Sequence, residues 1–282
     1  MQRWQVGNVT VSKVVELELA GKATWILPAA TRENLLRDAW LQPHFVNERG
    51  DALMSVHAFV LESQGRRIVV DTCIGNDKQL PIPAWNRRQG PFLADLAAAG
   101  FAADSIDTVL CTHLHVDHIG WNTRLVDGRW VPTFANARYL WSRDEYEHWD
   151  VSSGEENARV LAESVRPVYD AGLVDLVAND HVVTDEVRLE PTPGHTPGHV
   201  SVHITSRGEE AVITGDLMHH PVQIAHPEWG SSADTDKAQA EATRLAFLQR
   251  YTGRPVLVLG THFAGPTGGR LVRDGDAIRL EV

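Results

Sequence analysis

Cysteine is scarce in this chain of 282 residues: Cys73 and Cys111 are the only two, and they form no Cys-x-x-Cys pair. That excludes a disulfide framework and any sulfur-based metal site. Each ends an apolar, strand-like run, so both read as buried, reduced thiols. Positive charge is short as well. With 26 Lys+Arg against 37 Asp+Glu the formal charge is -11, which opposes binding of nucleic acid along a basic face. No run approaches the roughly 18–20 apolar residues of a membrane span. The start, residues 1–7, has no apolar core of signal-peptide length. The expectation is a soluble, cytoplasmic protein with neither nucleic acid nor membrane as partner. A convincing Ser or Cys nucleophile motif is also missing, and no internal repeat shows as sequence identity.

Histidine, by contrast, is plentiful at 14 residues. Three fall in one run, Thr112-His113-Leu114-His115-Val116-Asp117-His118. A lone core histidine is ordinarily a satisfied one, but three with a carboxylate in seven residues point to metal. The run follows Thr108-Val109-Leu110-Cys111, which reads as a buried strand. If that strand carries on in extended form, His113 and His115 share a face. Asp117 and His118 then swing in from a turn near Gly120, and two close groups of ligands suit a pair of divalent cations.

At 43% hydrophobic, the chain can bury a large core. Neither end looks like a separate module, so residues 1–282 read as one domain. Val9–Leu19 alternates like a half-buried strand. Residues 31–41 read as a short helix begun by Thr31. The apolar stretch 23–28 reads either as a core plug or dimer contact, leaving a homodimer open, or as cover for a site mouth. Met54–Leu61 and Arg66–Asp71 read as a hairpin. Asp71, at a strand end, is placed to receive the free N–H of a metal-bound imidazole. A helix over 92–99 and the strand 107–111 follow. Leu125-Val126 and Trp130-Val131 pair across Asp127-Gly128. The aromatic stretch 139–149 packs under a helix over 155–165.

Strands recur from Val174 onward. Between two of them lies Pro191-Thr192-Pro193-Gly194-His195-Thr196-Pro197-Gly198-His199, with two Pro-Gly turns fixing the backbone around His195. The strand 211–213 ends on a carboxylate, Asp216, and the strand 255–259 ends near His262. Between these, a helix over 235–250 has Asp234 ahead of it as a cap. His199 reads as structural. Of the pair after Asp216, His219 and His220, each reads either as a cap on the strand end or contact to a neighbouring loop, or as a donor facing a pocket, for which His220 is the choice. Trp25, Ile26, Trp85 and Phe263 complete the expected apolar wall.

With these residues assembled, His113, His115, Asp117 and His118, then His195, Asp216 and His262 in that order, the chain resembles the metallo-β-lactamase fold superfamily. Its nearest likeness is the branch with dinuclear N-acyl-homoserine lactonases and methyl parathion hydrolase. The resemblance spans Asp71 to His262. It implies an α/β fold, a four-layer αβ/βα sandwich of two mixed β-sheets with helices on the outer faces. It also implies His113, His115 and His195 on one metal, Asp117, His118 and His262 on the other, Asp216 bridging them, and Asp71 supporting a ligand. Cys73 departs from the family pattern, which commonly has Gly after Asp-Thr.

All-His/Asp ligation suits Zn²⁺ first, with Mn²⁺, Fe²⁺ and Co²⁺ also able to bind. The activity implied is hydrolysis of a small-molecule lactone or ester by a metal-bridging hydroxide. Asp216 would hold the metal pair and Asp117 would carry a proton to the leaving group. A phosphotriester (organophosphate) hydrolase would use the same site with a more aromatic pocket, and nine Trp keep that reading open. From another class, an iron-dependent redox or oxygen-handling protein shares the fold.

Overall fold

The structure is a computed structural model that describes the backbone of residues 1–152 and 155–282, and the side chains of residues 1–150 and 158–282. The first half lays down β1 (Arg3–Val6), β2 (Val9–Gly21), β3 (Ala52–Ser63), β4 (Arg66–Val70), β5 (Thr108–Leu110), a small hairpin of β6 (Thr123–Val126) and β7 (Arg129–Pro132), β8 (Arg138–Ser142) and β9 (Val174–Val177). The second half adds β10 (Val182–Thr184), β11 (Val187–Pro191), β12 (Val200–Ser206), β13 (Glu209–Ile213), β14 (Val256–Leu259), β15 (Gly268–Asp274) and β16 (Ala277–Glu281). Two seven-stranded sheets result, ordered β1-β2-β3-β4-β5-β8-β9 and β10 through β16. Both are mixed: β4, β5, β8 and β9 run parallel, as do β13 and β14, while the other pairs are antiparallel.

The helices are α1 (Arg32–Leu35), α2 (Phe92–Ala98), α3 (Val116–Ile119), α4 (Arg143–Ser152), α5 (Glu155–Ser164), α6 (Arg166–Asp170), α7 (Val222–Ala225) and α8 (Lys237–Tyr251). Three apolar layers explain the stacking. Val11, Phe59, Ile68 and Val70 face Val200, Val202, Ile204 and Ile213 between the sheets. Val60, Val69, Val109 and Tyr139 point the other way, onto Phe92, Leu96, Leu161 and Val168 of the helices. On the far side, Val212, Val256 and Val258 pack on Phe247, Leu248 and Tyr251 of α8. Alternate residues of one strand serve opposite layers, as the period of two in a sheet requires. The αβ/βα sandwich follows.

Two expectations are corrected. The strand leading into the histidine run stops at Leu110 and does not carry on to His115. Thr112 N donates to the Asp71 carboxylate at 2.7 Å in place of a ladder partner. The helix expected over 31–41 is only the short α1, with Thr31 accepting from Asn34 N as its cap, followed by a separate 3₁₀ turn at Ala39–Leu41. Each of these turns buries one leucine, Leu35 and Leu41, so two anchors replace one amphipathic face.

One irregularity bears on the site. The pairing of β2 with β3 shifts between Val15 and Leu17, which leaves Glu16 as an extra residue. Its carboxylate accepts from Ile74 N (2.8 Å), Gly75 N (3.1 Å) and Trp121 Nε1 (2.7 Å). The bulge thus fastens the loop after β4 to the segment after α3. Among the described residues no helix is long and apolar enough to cross a membrane.

Candidate metal centre

All seven candidate ligands lie past strand ends on one edge of the sandwich. Beyond β5 the chain bends at Thr112 and His113, His115 precedes α3 with an extended backbone (φ -71°, ψ 158°), and α3 itself carries Asp117 and His118. His195 sits in the Pro-Gly loop between β11 and β12, Asp216 in a 3₁₀ turn after β13, and His262 just beyond β14. Glycine is required twice in the Pro-Gly loop. A Cβ on Gly194 (φ +131°) would lie 2.3 Å from Ala240 N, and one on Gly198 would lie 2.2 Å from Glu145 N.

Two groups of ligand atoms converge, His113, His115, His195 and Asp216 in one, and Asp117, His118 and His262 in the other. In the first, His115 Nδ1 is 2.9 Å from both His113 Nε2 and His195 Nε2, and Asp216 Oδ2 is 3.7 and 3.5 Å from those two nitrogens. In the second, His118 Nε2 and His262 Nε2 are 3.3 Å apart, with Asp117 oxygens at 3.8 and 3.5 Å. Asp216 reaches this group too, 3.3 Å from His118 and 3.1 Å from His262. It therefore lies between the groups. A tetrahedron with metal–nitrogen bonds of about 2.0–2.1 Å has edges of roughly 3.3–3.4 Å, in the same range.

The electrostatics ask for positive charge at this spot. Burial alone would raise the Asp216 carboxyl, but His118, His262 and His219 bring it well below the carboxylate range. Burial disfavours charge on His118 and His262, yet the surrounding carboxylates outweigh it and raise both. His113 and His195 are driven down by burial, and His115 to about 4. These remain neutral imidazoles, the form that coordinates a cation. Asp216 Oδ1 is buried with no hydrogen-bond partner. This buried oxygen, 3.1 Å from His262 Nε2, lies among converging ring nitrogens, an arrangement that fits a divalent cation.

The ring backs are held as well. His118 Nδ1 meets Asp71 Oδ2 at 2.9 Å. The same oxygen accepts from Thr112 Oγ1, which in turn pairs with His113 Nδ1 at 3.1 Å. His262 Nδ1 meets the Ser55 carbonyl at 3.1 Å.

The metallo-beta-lactamase superfamily profile matches residues 52–262, well over half of the chain. The chain belongs to the metallo-beta-lactamase superfamily. An N-acyl homoserine lactonase from Bacillus sp. is 26% identical over 151 residues, covering 53% of this chain and 54% of that protein. The probable metallo-hydrolase YybB of Bacillus subtilis (strain 168) is 26% identical over 53% of this chain and 67% of its own length. The chain thus spans about 40% to two thirds of the length of the curated relatives it matches. Among solved structures, AidC, a dizinc quorum-quenching lactonase with a product bound, superposes with a TM-score of 0.79 at 21% identity, over 99% of this chain and 96% of that one. The hydrolase AbOPH gives 0.79 at 23% identity, over 99% and 95%. These structural likenesses are of fold. Together the superfamily fold and the His/Asp groups support a dinuclear divalent-metal site.

In this superfamily member five of the seven candidate ligands, His115, Asp117, His195, Asp216 and His262, form the floor of a cavity of about 310 Å³, with His113 and His118 buried behind them. Trp25, Ile26 and Trp85 line it, with Leu19, Met54, Ile82 and Trp149. Two expected wall residues do not. Phe263 is buried behind the floor against Phe45. His220 points away from the cavity, its Nε2 bonded to the Phe45 carbonyl at 2.8 Å. Its neighbour His219 lines the cavity instead, with Nε2 3.2 Å from Asp216 Oδ2 and Nδ1 buried without a partner.

Two supports escaped the sequence reading. Asp234 does not cap α8; Asp236 does, accepting from Gln239 N. Asp234 instead meets His195 Nδ1 at 2.9 Å. The clue was a pair of carboxylates, Asp234-Thr235-Asp236, where a cap needs one. Glu145 is buried on α4 and accepts from Leu114 N and Gly198 N at 3.0 and 3.1 Å, and from Trp149 Nε1 at 2.7 Å. It ties the two ligand loops together, and burial pushes its pKa up despite those donors. His199 joins Asp216 N to Thr192, a structural part.

Proposed function

We propose that this chain hydrolyses a small lactone or ester that carries an apolar arm, at a pair of divalent cations, zinc first among them. One observation carries the reading: a polar floor of metal-ligating groups opens straight into an apolar cavity. His113, His115, His195 and Asp216 would hold one cation, and Asp117, His118 and His262 the other, with Asp216 shared. Such a pair, when bound, supplies Lewis acidity and a water whose pKa falls toward about 7.

The chain's own groups do the rest. Asp117 lines the cavity and would take the proton of the attacking water and hand it to the leaving alkoxide oxygen as the new acyl C–O bond forms and the old one breaks. His219 lines the cavity beside Asp216, with its Nε2 3.2 Å from the carboxylate. The wall strips water from the acyl chain. Leu19, Trp25, Met54, Pro81, Ile82 and Trp85 also border a second, more open apolar cavity of about 540 Å³, which gives an alkyl arm room to extend. The lactonase relatives agree with this choice of substrate.

Three tryptophans on the wall, Trp25, Trp85 and Trp149, favour a second reading, an aryl phosphotriester in the same cavity. Metal content measured beside proton release on a panel of lactones, aryl esters and phosphotriesters separates the two. Selective lactone or ester turnover with two metals per chain is expected. Selective phosphotriester turnover would replace the first reading with the second, and one iron per chain with thiol-dependent oxygen uptake would overturn both. Replacing Asp117 with Asn should lower turnover more than metal content; equal losses would leave it a ligand only.

A further inference from the structure

Arg244 belongs to neither ligand group, yet its side chain reaches both the turn that carries Asp216 and the carboxylate behind His195. It lies at mid-length in α8 with its side chain 1% exposed. Its Nε donates to the Leu217 carbonyl at 3.0 Å, and its Nη1 to the Pro227 carbonyl at 2.5 Å. Its Nη2 stands 3.6 Å from Asp234 Oδ2. Leu217 directly follows Asp216, the carboxylate between the groups. Asp234, itself fully enclosed, spends its other oxygen on His195 Nδ1 and accepts from Ser231 N at 2.8 Å.

A guanidinium withdrawn this far from water is costly unless every face of it is used. Here the planar fork addresses three acceptors on three segments at once, which a lysine ammonium on a flexible stem could not reproduce. The rest of α8 repeats the pattern. Thr243 Oγ1 donates to the Pro193 carbonyl at 2.7 Å, and Ala240 packs against Gly194. One face of this helix is a template for the His195 loop and the Asp216 turn.

We infer that Arg244 is a positioning residue for the metal centre, acting at two points. Through Asp234 it keeps His195 in the tautomer whose Nε2 lone pair faces the floor. Through the Leu217 carbonyl it holds the Asp216 turn between the two groups. The inference rests on the two-metal reading above and makes a distinction within it. Loss of Asp234 touches the group that contains His195, whereas loss of Arg244 reaches both groups.

Titration of the metal-free protein with Zn²⁺ against a competing chelator tests this without any substrate. Wild type should take up two equivalents. Asp234→Asn should weaken one of them by roughly 10–100-fold and leave the other within about threefold. Arg244→Met should weaken both, and Arg244→Lys should weaken both by less. Arg244→Lys keeps charge and length and carries the test if the methionine variant fails to fold. An Arg244 variant that binds both equivalents as wild type does, while its metal-free form unfolds at lower temperature, would reduce the residue to a structural part and overturn the inference. So would a loss confined to one equivalent. Wild type with fewer than two equivalents would refute the two-metal reading itself and remove the basis of the inference.

Discussion

On the floor of the cavity four rings are held from behind: His118 by Asp71, His113 by Thr112, His195 by Asp234 and His262 by the Ser55 carbonyl. Around Trp25 and Trp85 the wall is held by shape, whereas Trp149 is fixed by its bond to Glu145. Trp25 is 52% exposed and meets Trp85 edge-on at 6.2 Å between ring centres, and Pro81, Ile82 and Leu19 around them add no polar contact at their side chains. The difference follows from what each part must do. A misplaced imidazole loses a metal, so directional bonds are spent on the floor. An alkyl chain is recognised by area removed from water, which needs no direction. Floor residues should therefore respond to substitution in an all-or-none way, and wall residues in proportion to volume.

The largest effect is expected at the residue both ligand groups share. Asp216→Asn removes the charge that the surrounding imidazoles balance, and should cut kcat/KM by at least about 10²–10³-fold with fewer than two metals retained per chain by elemental analysis. Asp71→Asn comes next. It disturbs His118 directly and His113 through Thr112, and a loss of roughly 10–100-fold in metal affinity is expected by chelator competition. Glu145→Gln puts an NH₂ against the Leu114, Gly198 or Trp149 donors, so unfolding in denaturant should show a loss of about 1–3 kcal/mol. The smallest change belongs to the wall. Gly21 borders the second cavity, and nothing stands within 4 Å of where its Cβ would be. Gly21→Leu should lower the preference for long over short acyl chains by roughly three- to fourfold for each methylene displaced, read from kcat/KM along a chain-length series. A floor variant with graded effects, or Gly21→Leu acting equally on all chain lengths, would break the distinction between floor and wall.

Legibility in the sequence divides along the same line. The floor could be read because its ligands are rare residue types delivered where apolar strands end, and seven of them in fixed order point to little besides a metal centre. The strands were legible for a similar reason: β14 is an apolar run throughout, β4 and β13 end in one, Ile68-Val69-Val70 and Ala211-Val212-Ile213, and turn residues close each of them. The hairpin of β6 and β7 was announced by Asp127-Gly128, both now found at positive φ. The misses lie where a residue has two partners to choose from. Asp234 can cap a helix or hold a histidine, and the choice depended on where the loop 191–199 came to rest. His219 and His220 differ only in which way the turn faces. Phe263 follows a ligand in sequence but falls behind it in space.

By itself, then, the sequence determined the candidate donor set. Chain order, residue type and strand-end placement specify the donor set, because a strand carries its terminal residues to one edge of a sheet whatever the details of packing. Only the tertiary structure decided what backs each ligand and what faces the substrate. Those pairings join residues far apart in the chain, His195 with Asp234 and Arg244, Glu145 with Leu114 and Gly198, Trp25 with Trp85. No local pattern encodes them, since each depends on how two sheets and their helices close against one another.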